Sequence, residues 1–548
     1  MPRLRKNVKT NIKPTGLRYW MVRVLQECDN VSAEFAADPV HDLRVSLRRC
    51  RSMADGMMAM DPDPDWKAMK KAGKQLFQRL GALRDVQIMM EWIEKLEPGV
   101  KLTPPPVIAE VAEDSALPAT AVVTAPGSNP HDPAAQALLH ILHARETEQK
   151  REARAALEEF DRKQWRQWSR SLPQRAAHIR PGSDVFKHLA LERWTAAREL
   201  HVTAMRNRSQ VALHTLRIGI KRFRYIVENF LPAEHKAWSD DLKHMQDMLG
   251  EVHDLDVLWA TALSCQVFPD AALRQAWRTR IIEERTKRVD EHRLRTTGAN
   301  SLWSTWRAGL PQGQQIQQIA TRRMKLWAKA LDPDFAHSER VARLSLQLYD
   351  GLLAAGLFGP GKAGALPVEN GTADARSSLY VAALLHDVGK VNGDKGHQKE
   401  SLDLIKKHGS PLGWKPENLS RAAVVARFHA GALPVRSHKC LRDLLPDEQR
   451  TIIRLSAILR LSNALDVAHD GHIRKVRVEP AVQAKSRSRR SNGFLRKVTP
   501  LGKNEALVIT AEGYADGTPT AQKVAAERYL LETVLRRPVM IRPMPNHG

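Results

Sequence analysis

The chain has 548 residues, too many for one hydrophobic core, and predicts two or three domains. It carries 86 Lys and Arg against 61 Asp and Glu, a formal +25, which points to a polyanionic partner: nucleic acid, an anionic membrane surface or inorganic polyphosphate. Four scattered cysteines argue against a disulfide framework, and no apolar run approaches the roughly 18 residues of a membrane span. The basic start, MPRLRKNVKTNIKP, has no apolar signal core behind it, so a cytoplasmic protein is expected. With 43% hydrophobic but only 5% aromatic residues, the composition suits helical bundles cored by Leu, Ala, Val and Met.

Residues 16–97 read as helices. Residues 102–133 are rich in Pro, Ala and Thr without a helical period, which predicts a flexible insertion. Helical patterns return from about 134 to 170 and from 185 to 300. PQGQQIQQ (311–318) marks a boundary, and another helical block runs from about 322 to 470. In the last 70 or so residues KVRVEP and ALVIT alternate like strands, TAQKVAAERYLLETVLRR (520–537) reads as an amphipathic helix, and PVMIRP as a final strand. The expected domains are 16–305, 322–475 and a small α/β appendix at 476–548.

HTLRIGIKRFRY (214–225) places His214, Arg217, Lys221 and Arg224 on one helical face, hemmed by the core stripe Leu216, Ile220, Phe223 and Val227 and by Ile218 and Tyr225. Crowded like charges of this kind call for an anion. The pattern recurs as HDLRVSLRRCRS, where His41, Arg44, Arg48 and Arg51 keep the same spacing and Arg49 matches Arg222. KQLFQRLGALRDVQIM (74–89) likewise pairs with KHMQDMLGEVHDLDVL (243–258), aligning Lys74 with Lys243, Leu80-Gly81 with Leu249-Gly250, and Asp85 with Asp254. Two matches in one order, about 170 residues apart, indicate a duplicated helical unit. Guanidinium forks bind phosphate oxygens in pairs, and cations one turn apart can follow a chain of anions.

On these segments the region from about 16 to 300 resembles the CHAD family. The resemblance implies two helical bundles around a basic channel that binds inorganic polyphosphate. It carries over His41, Arg44, Arg48, Arg51 and Lys74 from the first half, and His214, Arg217, Lys221, Arg224 and Lys243 from the second. Arg49 and Arg222 complete the expected set.

LYVAALLHDVGK (379–390) is an apolar helical run ending in His386 and Asp387. His337 lies upstream, with His397, His429 and Asp466 downstream. Four imidazoles and two carboxylates suit one or two divalent ions such as Mn, Fe, Co or Mg. Such an ion activates water and polarises phosphoryl oxygens. Asp387 is then the residue to orient the attacking water, with Lys390 and Arg427 beside it to neutralise substrate oxygens. His408 and His469 have no place in this order and read as surface residues. The ordered set resembles the HD phosphohydrolase superfamily. With GHQKESLDLIKKHGSPLGW, VARFHAGALP, LRLSNALDVAH and the strand-rich tail, residues from about 325 to 545 resemble the C-terminal region of the exopolyphosphatase/guanosine pentaphosphate phosphatase family. That family houses its phosphatase chemistry in an N-terminal actin-like module, which has no counterpart in this sequence.

The expected fold is mostly α: a duplicated CHAD-like bundle, an all-α HD-like domain and the α/β appendix. The expected function is polyphosphate binding joined to a metal-dependent phosphohydrolase acting on polyphosphate, guanosine tetra- or pentaphosphate or another nucleotide. Association with polyphosphate granules follows from that reading. One alternative is a non-enzymatic granule binder with the HD-like region as scaffold or sensor. Another is nucleic-acid binding by charge, with AKSRSRRSNGFLRK (484–497) adding affinity. Few aromatics and no recognisable nucleic-acid motif oppose it, so no specific nucleic-acid partner is expected.

Overall fold

The computed structural model describes residues 16–33, 35–97, 132–357, 369–479 and 506–544. The insertion at 102–133, apart from Asp132 and Pro133, lies outside the described residues, as do the basic start at 1–14 and the basic stretch 484–497. The chain is mostly helical and divides into two compact units, one of Met1–Ala59 and Asp63–Gln312, the other of Met60–Pro62 and Gly313–Gly548. No described helix is long and apolar enough to cross a membrane.

In the first unit the helices are α1 (Leu17–Ala33), α2 (Ala37–Met57), α3 (Pro64–Leu96), α4 (Pro133–Glu158), α5 (Arg162–Ala176), α6 (Asp184–Arg206), α7 (Gln210–Phe230), α8 (Pro232–Ser264), α9 (Ala271–Thr296) and α10 (Leu302–Ala308). The duplication is visible in their lengths: α2 and α7 each have 21 residues, α3 and α8 each 33, α4 and α9 each 26. The halves meet where α2 packs on α7 and α3 on α8. Leu43, Leu47 and Cys50 of α2 and Leu216, Ile220 and Phe223 of α7 are fully buried, which fixes the basic faces of both helices relative to the core. The core is largely the expected Leu, Ala, Val and Met, but Trp66, Trp165, Trp277, Trp303 and Trp306 are among its largest fully buried side chains. A few large rings fill gaps between helices that many small residues leave.

In the second unit the helices are α11 (Gln314–Leu331), α12 (Phe335–Ala354), α13 (Glu369–Leu385), α14 (His397–His408), α15 (Pro416–Arg427) and α16 (Pro446–Leu465), with a 3-10 turn at Val388–Asn392. Then come β1 (Val476–Val478), β2 (Leu507–Ala511), α17 (Pro519–Glu527), α18 (Tyr529–Leu535) and β3 (Val539–Pro543). The sheet order is β1-β2-β3, with β1 antiparallel and β3 parallel to β2. Its Leu507, Ile509 and Val539 join Leu348, Leu379, Val425 and Ile458 in one core, so the appendix packs on the helices rather than standing apart. The single helix expected over 520–537 is two, α17 and α18, joined through Arg528 in right-handed helical conformation.

Candidate functional site

The first unit gathers five cations. Around the half-buried Lys221 stand Arg48, Arg44 and Arg51 of α2 and Arg217 of its own α7. Burial, then these four guanidinium groups, pull the Lys221 ammonium down to about 7. Aromatic rings from each half order the cluster. Phe77 of α3 lies under Arg51 and Arg44, at 4.7 and 5.6 Å from the ring centre. Tyr225 of α7 lies under Arg48 and Lys221, at 5.6 and 5.9 Å. The Nε atoms of Arg48, Arg51 and Arg217 and the Tyr225 hydroxyl are buried without a hydrogen-bond partner. Unmet donors in such number mark a place for an acceptor.

The paired Leu-Gly segments explain how the arginines are held. Arg44 Nη1 donates to the Leu80 and Gly81 carbonyls, both at 3.3 Å. A side chain at Gly81 would touch the Arg44 guanidinium at 3.9 Å, and one at Gly250 would touch Arg217 Nε at 3.9 Å. The two glycines thus make the same lodging in each half. Asp85 and Asp254, aligned by the repeat, face the cluster from α3 and α8. Burial raises both carboxyls, Asp254 to about 6, against the opposing pull of Arg44 on Asp85 and of Arg217 on Asp254.

The remaining expected anion-binding residues are spread more widely. His214 Nδ1 lies 3.3 Å from His253 Nδ1, while the His41 imidazole, on the exposed side of α2, is held below its ordinary pKa by partial desolvation and then by Arg84. Arg84 and His253 occupy matching repeat positions and were not singled out from the sequence; the alignment itself pointed to them. Arg49 is ion-paired to Glu228 and covers Trp20, and Arg224 lies 3.8 Å from the same carboxylate. Lys74, Arg222 and Lys243 are exposed.

In the second unit every expected ligand sits at a helix end. His337 opens α12, whose cap Asp334 accepts from the His337 amide at 3.3 Å. His386 and Asp387 follow α13, His397 begins α14, His429 follows α15 and Asp466 follows α16. Leaving the helix lets adjacent His386 and Asp387 turn toward one centre. Gly389 makes this turn possible: a Cβ there would lie 2.1 Å from the His397 carbonyl and 2.7 Å from the Ser401 amide. Ser401 Oγ ties the turn to α14, accepting from the Gly389 amide at 2.9 Å and donating to the His386 carbonyl at 2.7 Å.

Three imidazoles are anchored in one manner. His386, His397 and His429 each direct Nδ1 to the carbonyl three residues earlier, on Ala383, Asp394 and Ala426, at 2.7, 2.7 and 2.8 Å. That fixes Nδ1 as the donor and turns the Nε2 lone pair inward, as metal-ligating histidines require. The Nε2 atoms of His386, His397 and His429 lie 3.4, 3.3 and 3.5 Å from Asp387 carboxylate oxygens. His397 and His429 Nε2 are 3.0 Å apart, and buried His386 Nε2 has no hydrogen-bond partner. Two ring nitrogens at that spacing, beside a carboxylate, can share either a proton or a metal ion. Donor atoms of His337, His386 and Asp387, and of Asp387, His397 and His429, form two groups able to hold an ion. Burial opposes ionisation of Asp387, but His386, His397, His429 and Lys390 outweigh it and hold the carboxyl far below its usual range.

Lys390 Nζ donates to Asp387 Oδ2 at 2.6 Å. Asp466 is not in either donor group: it accepts from His337 Nδ1 at 2.7 Å and from Arg340 Nε at 2.8 Å. His337 Nε2 is 2.9 Å from Asn463 Oδ1. His469, set aside in the sequence, stacks on His337 with ring centres 3.8 Å apart, and its Nδ1 donates to Asp334 at 2.7 Å. Buried Arg460, a second residue the sequence did not flag, holds the loop after His429 by donating to the Phe428 and Gly431 carbonyls at 3.1 Å, and is anchored by Glu527. Arg427 covers the Phe428 ring at 5.4 Å.

The comparison with curated proteins gives no match. The solved structure of the CHAD domain from the plant Ricinus communis is similar over 54% of this chain and 88% of its own length, with 19% identity and a TM-score of 0.33. The family model for the CHAD domain matches residues 21–263, and that for Ppx/GppA phosphatase, domain III, matches residues 319–501. A match to the CHAD domain thus precedes a match to domain III of the Ppx/GppA phosphatases, each over less than half of the chain.

Proposed function

We propose that the first unit binds inorganic polyphosphate at the cluster centred on Lys221, and that the second is a metal-dependent phosphohydrolase. The carrying observation for binding is the meeting of Arg44, Arg48 and Arg51 with Arg217 and Lys221, where the buried Nε donors of Arg48, Arg51 and Arg217 lack partners. A bound polyanion would answer both the charge and the donors. Phosphate groups need no base-stacking surface, which favours polyphosphate over RNA or DNA. In competition at fixed ionic strength, long-chain polyphosphate should displace labelled RNA at lower phosphate concentration than the reverse. Equal displacement both ways would reduce the cluster to a generic basic surface.

For the second unit the residues fit a divalent ion, one or two of Mn, Fe, Co or Mg, held by His386, Asp387, His397 and His429 with His337 adjacent. Such an ion supplies activated water and polarises a phosphoryl oxygen. Asp387 orients the water, and Lys390 brings a positive charge to substrate oxygens. The substrate is a phosphoanhydride or phosphoester: polyphosphate, guanosine tetra- or pentaphosphate or another nucleotide. A cytoplasmic location, with recruitment to polyphosphate granules, belongs to the same reading. The capture of Asp466 by Arg340 favours one rival, a metal-holding scaffold or sensor without turnover. Asp387→Asn separates them: under hydrolysis, metal content and phosphate release from these substrates fall together while polyphosphate binding persists. Wild type that retains metal but releases no phosphate from any of them would establish the scaffold.

A further inference from the structure

The first unit has a cavity of about 510 Å³ formed by α6, the end of α9 and α10. It shares no residue with the Lys221 cluster. Trp194 and Trp303 form part of its wall, with ring centres 6.0 Å apart in an edge-to-face arrangement. His201 of α6, only 3% exposed, adds a third ring 5.4 Å from Trp303. Arg198, Arg206 and Arg307 bring three cations to the lining, and no carboxylate is among the lining residues. Arg198 lies over Trp303 at 5.8 Å and Arg307 over Trp194 at 5.9 Å.

The wall also holds unmet polar atoms. Nε1 of Trp194 and of Trp303 and Nδ1 of His201 are buried without a hydrogen-bond partner. Behind them, fully buried His292 stands 5.5 Å from His201 with neither ring nitrogen partnered. Burial, with Arg198 acting on His201 and His201 on His292, holds the two imidazoles down to about 4 and about 3, so both are neutral near pH 7. A neutral imidazole presents one donor and one acceptor, the mixture that reads the edge of a heterocycle.

We propose that this cavity is a nucleotide site, whose aromatic wall takes the base and whose three arginines take the phosphates. Its size falls within the roughly 300–1,000 Å³ of small-ligand pockets. Trp303 and His201 are only 1% and 3% exposed, so the half-buried Trp194 is the ring that offers stacking, which an inorganic phosphate chain cannot use. The site lies outside the cationic cluster and outside the histidine centre, so it stands whether or not the activity proposed above does.

The test is equilibrium dialysis of the full chain with ATP, GTP and inorganic tripolyphosphate. EDTA is present, and saturating long-chain polyphosphate occupies the cluster. ATP or GTP should bind at least tenfold more tightly than tripolyphosphate. Trp194→Ala should erase that preference, Trp194→Phe should keep most of it, and Arg198→Gln should weaken nucleotide binding about tenfold. Polyphosphate affinity should be unchanged in Trp194→Phe and Arg198→Gln, which shows that the bundle is intact. The proposal is overturned if tripolyphosphate matches both nucleotides or if saturating polyphosphate abolishes nucleotide binding. It is equally overturned if Trp194→Ala and Arg198→Gln both bind as wild type.

Discussion

Lys221 carries the strongest tension in the first unit. It is half-buried, it faces Arg44, Arg48, Arg51 and Arg217, and its ammonium titrates at about 7 instead of the ordinary 10.5. Asp85 of α3 and His253 of α8 also feel its charge. Between those two values the unfolded chain binds more protons at this position than the folded one, so its contribution to stability rises with pH across that window. Lys221→Met should therefore raise the melting temperature at pH 7 by a few degrees, with a smaller gain at pH 10, while polyphosphate affinity falls tenfold or more. Calorimetry at the two pH values and a binding titration check this, and a lower melting temperature at pH 7 would contradict it. Binding has the opposite pH sense. A polyanion favours the charged ammonium, and protonation of Asp254, which titrates at about 6, and of Asp85 removes negative charge from the same place. Wild-type affinity should strengthen as pH falls from 8 to 6, and much of that dependence should vanish in Lys221→Met.

Helix ends make the second unit's centre, and the 3-10 turn at Val388–Asn392 is the least tolerant element. Gly389→Ala would press a methyl group into the His397 carbonyl and the Ser401 amide, both backbone. Overpacking of this kind costs about 2 kcal/mol. Because α14 begins at His397, the displacement moves a donor away from Asp387. The variant should bind less metal, read by elemental analysis, and unfold at lower denaturant, read by chemical melts, while polyphosphate binding stays intact. The histidine order was legible because each candidate ligand lay beside a helix-breaking or apolar signal, and the duplicated basic face because 3.6-residue periodicity repeats it with its neighbours. What stayed hidden depends on tertiary approach. Phe77 and Tyr225 under the arginines come from non-matching repeat positions. Arg340 reaches Asp466 from another helix, and His469 stacks on His337 across more than a hundred residues of chain. Spacing along one helix carries no signal for such pairs. The break at Arg528 was equally invisible, since the amphipathic pattern continues through it.

At the scale of the whole molecule, the question is whether a chain of net charge +25 binds polyanions at one place or everywhere. Salt dependence separates these. Each cation that neutralises a phosphate releases a counterion, and for nucleic acids the logarithm of affinity falls with the logarithm of salt by about 0.7–0.9 per contact. Five cations meet at the cluster, Arg44, Arg48, Arg51, Arg217 and Lys221. A polyphosphate seated there should show a slope of about −4. Binding spread over the basic surface would recruit many more contacts and give a much steeper slope. Replacing Arg44, Arg48, Arg217 and Lys221 with Ala removes four of the five while leaving most of the positive charge in place. Affinity should then collapse and the residual slope should shrink to about −1, with circular dichroism and the metal content of the second unit unchanged. A slope that stays near −4 in that variant, or affinity that survives it, would mean that the polyanion is held by net charge and that the duplicated basic helices serve another purpose.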